Sequence, residues 1–307
     1  MNPFIENTSH FHPLYSRTVH RSHHDSSYFI HVLLFYCLHG IITIIALYNI
    51  TQLGDPTAFG NLPPCPVALE AIESALHAKG HAAGYVNACG IPQARNAIAQ
   101  FHNPNNKNAN KASSSSAPAD GAALSDHVVI ANGCSGALEL ALTAILDPGS
   151  ILLVPQPGFP LYQVIAESHG ASVVHYRLLP DQNWECDLQH LEALVKEYHT
   201  QVVYDDGDET QTPVIRGILV NNPSNPTGGV FSRKHLEDLV QFAKKYQLPI
   251  VADEVYGDLV FRSNTFHPLA NVADSLGREV PVITASGLAK QYLVPGWRVG
   301  WIVFQDK

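Results

Sequence analysis

Lys290 and Arg298 are the two side chains whose type and spacing most clearly suit covalent and anion chemistry, and the arginine follows the lysine by eight positions. The lysine comes after the small residues Ala285, Ser286, Gly287 and Ala289, and the arginine after the turn pair Pro295-Gly296. No acidic residue lies between Thr284 and Trp301 to compete for either. A nucleophilic lysine must be neutral part of the time, which an apolar setting or a neighbouring cation provides. A lysine with an anion-binding arginine is the minimum equipment for a phosphate-bearing aldehyde cofactor.

Such a pair needs a scaffold, and the chain before it alternates short apolar runs with helical patterns. Val128-Val129-Ile130-Ala131 reads as a buried strand, Gly133-Cys134-Ser135-Gly136 as the turn after it, and 137–146 as a helix stopped by Asp147-Pro148-Gly149. That order gathers free backbone N–H groups and a positive helix end at one point, where an anion belongs. The turn is neither a Walker A loop nor a G-x-G-x-x-G fingerprint, and taken alone it is equally a structural turn. The strand 151–154 closes on Pro155-Gln156-Pro157-Gly158-Phe159-Pro160, whose prolines deny Phe159 freedom, as a stacking platform requires; a core aromatic is the alternative. Further strands are expected at 171–176, 217–220, 249–252 and 282–284. Further helices are expected from Pro66, around 94–99, at 188–198 and from Ser232 as N-cap.

The carboxyl ends of these strands present, in order, Gly133 to Ser135, Phe159, Asn225, Asp253 with Tyr256, and Lys290. Ligands of open α/β sheets sit at those ends. The pattern predicts an α/β fold, three-layer αβα with a mostly parallel sheet.

Composition narrows the partners. The 307 residues are 46% hydrophobic, enough for a sizeable core, and the net charge of −9 excludes the basic stripe that nucleic acid requires. Five scattered cysteines without C-x-x-C spacing fit a reducing compartment with neither a disulfide framework nor a zinc site. Residues 1–27 are a polar leader rich in His and Ser; only His20 and His24 have helical metal-ligand spacing, so no metal is expected. Residues 28–50 carry no Asp, Glu, Lys or Arg and are long enough to span a bilayer, with a non-spanning extension and a transit-like leader as alternatives. The working domain is expected over 51–307, interrupted at about 103–123 by an insertion of disordered composition. The acidic loop 204–213 lacks the twelve-residue calcium pattern and reads as solvated.

From about Thr51 onward the chain resembles the fold-type I, pyridoxal-phosphate-dependent aminotransferases, within them the tyrosine aminotransferase group. The resemblance rests on Gly-Asp-Pro-Thr-Ala-Phe-Gly-Asn-Leu from Gly54, Asn-Pro-Ser-Asn-Pro-Thr-Gly-Gly from Asn222, Ala-Asp-Glu-Val-Tyr-Gly-Asp from Ala252, and Ala-Lys-Gln-Tyr-Leu-Val-Pro-Gly-Trp-Arg-Val-Gly-Trp from Ala289. It implies pyridoxal 5'-phosphate as cofactor and amino-group transfer from an amino acid, tyrosine or another aromatic favoured, to a 2-oxo acid. By resemblance, Lys290 bonds the cofactor and moves a proton, while Asp253 pairs with the ring nitrogen. Asn225 and Tyr256 hydrogen-bond the phenolic oxygen, and Phe159 stacks on the ring. Gly133, Cys134, Ser135 and Arg298 hold the phosphate. Tyr85 matches a tyrosine that reaches the phosphate of a neighbouring subunit, which implies a homodimer, and Gly54 matches a mobile loop that closes over substrate.

Two departures qualify the resemblance. Gly287 stands where some relatives carry a phosphate-binding serine, leaving that contact missing or taken by Ser286. The chain stops at Lys307, where family members continue into a smaller domain that supplies an arginine for the substrate carboxylate; the small domain is expected to be largely missing. The alternatives within this reading are an alanine aminotransferase, a carbon–sulfur lyase of the same fold, and an inactive cofactor-binding fragment. A cytoplasmic or mitochondrial location is expected, with membrane anchoring through 28–50 as the alternative.

Overall fold

The computed structural model describes residue 57 and residues 62–77, 84–103, 125–200, 214–261 and 264–305. The leader 1–27, the apolar segment 28–50, Gly54, nearly all of the insertion and the acidic loop 204–213 lie outside the described residues. The elements below belong to one unit, residues 60–307.

Helices α1 (Pro66–His77) and α2 (Pro92–His102) come first, each opened by a proline whose fixed φ suits a first turn. The strands then alternate with helices: β1 (Val128–Asn132), α3 (Gly133–Ile145), β2 (Ile151–Gln156), α4 (Leu161–Ser168), β3 (Ser172–Leu179), β4 (Glu185–Cys186) and α5 (Leu188–Thr200). They continue as β5 (Ile215–Asn221), α6 (Arg233–Tyr246), β6 (Ile250–Asp253), α7 (Leu269–Ser275), β7 (Val282–Gly287), α8 (Leu288–Gln291) and β8 (Val299–Gln305). Ser232 caps α6 as expected, its hydroxyl accepting from the His235 amide at 3.2 Å, a contact worth about 1 kcal/mol.

Among the described residues the eight strands form one sheet in the order β1-β8-β7-β6-β5-β2-β3-β4. Pairs β2–β3, β2–β5, β5–β6 and β6–β7 are parallel. Pairs β1–β8, β7–β8 and β3–β4 are antiparallel. Because β8 reverses direction between them, β1 runs the same way as β7, so the end of β1 points to the same edge as the ends of the parallel strands.

Side-chain alternation makes the three layers. On one face Ile151, Leu153, Ile218, Ile250 and Val282 pack against Leu191 and Val195 of α5, Leu236 and Leu239 of α6, and Val272 of α7. On the other, Leu152, Val154, Leu219, Val251 and Ile283 meet Leu138 and Leu142 of α3 and Ile165 of α4. Both faces being covered explains why β2 begins as the unbroken apolar run Ile-Leu-Leu-Val. Removing one such side chain, as in Leu153→Ala, costs about 2–5 kcal/mol.

Candidate active site

The residues singled out at the strand ends do gather, and Asp253 is their centre. It ends β6 and is 4% exposed. The Tyr162 hydroxyl donates to its Oδ2 at 2.7 Å, the Cys134 thiol to its Oδ1 at 3.6 Å, and the Val255 amide to Oδ1 at 3.3 Å. Burial pushes the Asp253 carboxyl up; the Tyr162 bond, then the Val255 and Cys134 bonds and the Lys290 charge, pull it back. Among the described residues Asp253 makes no ion pair within 4.0 Å. Burying a carboxylate is costly unless a cation or several donors offset it.

The turn from β1 into α3 is built around Arg298. The Gly133 amide donates to the Arg298 carbonyl at 2.8 Å. The guanidinium lies so close that a Cβ on Gly133 would stand 2.4 Å from Nη2, and Gly133 has φ +69°, which glycine adopts without strain. Gly133 therefore contributes space and a turn, while its N–H is taken. Arg298 is itself left-handed, φ 54°, and its Nη1 reaches the Pro295 carbonyl at 3.3 Å. Cys134 and Ser135 occupy the first turn of α3, where backbone N–H groups lack helical acceptors.

Lys290 lies on the four-residue α8 directly after β7, its Nζ 5.5 Å from the centre of the Tyr256 ring. The charges of Lys290 and Arg298 both act on Cys134, lowering a thiol that burial and Asp253 raise well above its usual range. Tyr256 sits in the turn after β6, where the Gly257 and Leu259 amides donate to the carbonyls of Glu254 and Tyr256. Asn225 is placed by a residue that sequence reasoning did not single out: Asn221, at the end of β5, accepts the Asn225 amide at 2.6 Å and donates to the Asp253 carbonyl at 3.2 Å. Phe159 is 38% exposed and meets Tyr162 edge-on, ring centres 5.8 Å apart. Tyr162 was also missed as a site residue, although it follows Phe159 by one helical turn. Tyr85 stands apart, fully exposed.

Gly287 has a physical reason to lack a side chain: a Cβ there would lie 2.8 Å from the Val299 carbonyl oxygen and 3.1 Å from the Gly300 Cα. Ser286 shares a strand face with Val282, opposite to the α3-facing Ala285, so alternation turns it away from the α3 turn.

The family profile described as Aminotransferase class I and II matches residues 52–307. The chain belongs to this family. It is 41% identical over 266 residues to the tyrosine aminotransferase of Bos taurus, covering 86% of this chain and 51% of that protein. Against the Homo sapiens tyrosine aminotransferase it is 40% identical over 257 residues, with 83% and 49% covered. The crystal structure of tyrosine aminotransferase from Leishmania infantum superposes with a TM-score of 0.67 at 31% identity, covering 83% of this chain and 61% of that one. The chain spans about half the length of the curated relatives it matches.

Aminotransferases of this family use pyridoxal phosphate, act on amino acids and 2-oxo acids, and generally work as dimers. The residues here fit that group. A buried carboxylate without an ion-pair partner suits a protonated ring nitrogen, and a helix start beside an arginine suits a phosphate. Among the described residues no cluster of His, Cys, Asp and Glu could hold a metal, and no helix is long and apolar enough to cross a membrane.

Proposed function

We propose that this chain holds pyridoxal 5'-phosphate and takes part in moving an amino group from an amino acid, tyrosine or another aromatic favoured, to a 2-oxo acid. The observation that carries the reading is the buried Asp253, fastened by Cys134 and Tyr162 and acted on by the charge of Lys290. When bound, the cofactor supplies an aldehyde that bonds amines and a ring that draws electrons from the bond being broken.

Each residue then has a task. Arg298 and the amides of Cys134 and Ser135, with the Ser135 hydroxyl, hold the phosphate through charge-assisted bonds. Asp253 keeps a proton on the ring nitrogen, Asn225 and Tyr256 donate to the phenolic oxygen, and Phe159 covers one ring face. Lys290 would hold the cofactor through its Nζ, and as a free amine it is the group placed to take the proton from the substrate Cα as a general base. Support for the aromatic preference comes from the tyrosine aminotransferases among the relatives.

A homodimer is part of the proposal. The fully exposed Tyr85 is free to reach a neighbouring subunit's phosphate, and α1 buries none of its residues, leaving Val67 and Leu76 about 70% exposed. Gly54 is assigned to the substrate-covering loop by resemblance alone.

The deciding experiment is titration of the purified chain with pyridoxal phosphate, followed by assay with tyrosine and 2-oxoglutarate. The expected result is a visible absorbance band from the lysine-bound cofactor that Lys290→Ala abolishes. A band unchanged in Lys290→Ala would sink the assignment. Cofactor binding without turnover of tyrosine would retain the site and refute the activity of this chain.

A further inference from the structure

Asp253 receives more than a ring nitrogen would need. Both of its oxygens already accept bonds from side chains of the helical layer: Oδ2 from Tyr162 on α4 and Oδ1 from Cys134 on α3. Tyr162 is 1% exposed, belongs to the same buried core as Leu138 and Ile165, and meets the Phe159 ring edge-on. Cys134 also lies in the first turn of α3, so one residue links that turn, to which the phosphate is assigned above, with Asp253.

We infer that Tyr162 and Cys134 are positioning residues which decide where the proton shared by Asp253 and the cofactor's ring nitrogen resides. The inference rests on the cofactor reading above. A carboxylate with these two donors added to the Val255 amide is a weaker base than one that keeps the amide alone, because each donor stabilises its negative charge. With Tyr162 and Cys134 in place, the proton stays on the ring nitrogen and the ring remains a strong electron sink. Without them Asp253 becomes the better base, the proton moves to its carboxyl, and the ring turns neutral. No group is consumed in this shift: one N–H bond is exchanged for one O–H bond along the same hydrogen bond.

The surroundings favour the side chains over other sources of control. The titratable groups that act on Asp253 are Tyr162 from α4, Cys134 from α3 and Lys290 from α8; the neighbouring Glu254 in turn feels the charge of Asp253. Burial drives Asp253 towards the protonated form, and Tyr162 is the largest influence against it. Tyr162 therefore has the larger effect and Cys134, with its longer bond from sulfur, the smaller.

The test uses the full chain loaded with pyridoxal phosphate carrying 15N in its ring. The wild type should give the nitrogen shift of a protonated ring. Tyr162→Phe should move that shift towards the unprotonated value and weaken cofactor retention by about tenfold or more. Cys134→Ala should move it less, and Cys134→Ser, which keeps a donor, should restore it. Thermal melts establish that each variant is folded. Should a variant fail to retain cofactor, the 13Cγ resonance of Asp253 in the cofactor-free protein supplies the readout, and it should titrate at higher pH in Tyr162→Phe than in the wild type. Wild-type nitrogen shift and affinity in a folded Tyr162→Phe protein, while Asp253→Asn loses both, would overturn the inference and leave the cofactor reading intact. An Asp253→Asn protein that also keeps the protonated signal would overturn both.

Discussion

Placing a single methyl group at Gly300 should separate the cofactor turn from the sheet. A Cβ there would lie 2.2 Å from the Gly133 carbonyl carbon, 2.4 Å from its oxygen and 2.5 Å from the Cys134 nitrogen. These are backbone atoms at the start of α3, and β8 is held by ladders on both sides, so neither partner can yield by rotating a side chain. Reaching an ordinary contact of roughly 3.5 Å requires a displacement of about 1 Å. Overpacking of this kind costs about 1–3 kcal/mol, or a fall in Tm of about 3–10 °C for a domain of this size. The same displacement pulls the Cys134 and Ser135 amides out of hydrogen-bond reach of a phosphate, and losing two bonds to a charged group lowers affinity by a hundredfold or more, from about 1.5 kcal/mol each upward. Gly296 is the matched control, because a Cβ there has nothing within 4 Å and its backbone is not left-handed; Gly296→Ala should be neutral or stabilising by about 0.5 kcal/mol. Calorimetry and fluorescence titration with pyridoxal phosphate measure both effects. If Gly300→Ala melts with Gly296→Ala and binds cofactor equally well, the close approach of β8 to α3 does not govern the phosphate turn.

Three further outcomes are expected. Glu254 is buried and accepts the Leu269 amide at 2.7 Å, and burial raises its carboxyl to about 8 from 4.5. A raised folded value means that the folded state keeps its proton while the unfolded state releases it, so the contribution to stability is full below about 4.5 and is lost as pH rises to about 8. Urea melts of Glu254→Gln should gain on the wild type across that window, and parallel curves would refute this. His102 accepts the Trp301 indole N–H at 2.9 Å, and burial lowers its imidazole to about 4 from 6.5. Here the contribution is present above 6.5 and lost as pH falls towards 4, so the protection of the Trp301 indole N–H relative to free indole should fall on acidification and stay constant if the bond is unimportant. Asp253→Asn should retain cofactor weakly and slow proton removal from the substrate by orders of magnitude, read by single-turnover absorbance; full activity would contradict its assigned role.

What could be read from the sequence followed from position. Asp253 stands just where an apolar run ends, and Asn225 and Lys290 follow within one short turn or helix of such an end; an apolar run that gives way to polar residues announces a strand end without knowledge of the partner strands. Tyr162 escaped because its neighbours Pro157 and Pro160 read as loop, whereas α4 begins at Leu161 and turns the tyrosine inward. Asn221 escaped because its work is done on backbone, accepting the Asn225 amide within its own loop and donating to the Asp253 carbonyl of the next strand, and a side chain bonded to backbone leaves no partner residue type to recognise. The strand β8 was not anticipated either. Trp301 to Phe304 is apolar enough, yet its antiparallel course between β1 and β7 depends on long-range pairing that no local period encodes. The tight approach of Gly300 to Gly133 and that of Gly287 to Val299 are likewise consequences of this pairing.

The insertion of β8 between β1 and β7 also sets an order of events during synthesis. Val128 pairs with Val303, and among the described residues β1 has β8 as its strand neighbour. A ribosome emits β1 and its helix long before the strand that joins them to the sheet, so the nascent chain carries an unmatched strand edge until β8 has emerged. Pairings that far apart in sequence form late and slowly, and unpaired edges invite association with other chains. The turn from β1 into α3, though encoded early, closes against Gly300 and Arg298 only once β8 has been made, so the proposed cofactor site is assembled from two segments that leave the ribosome far apart in time.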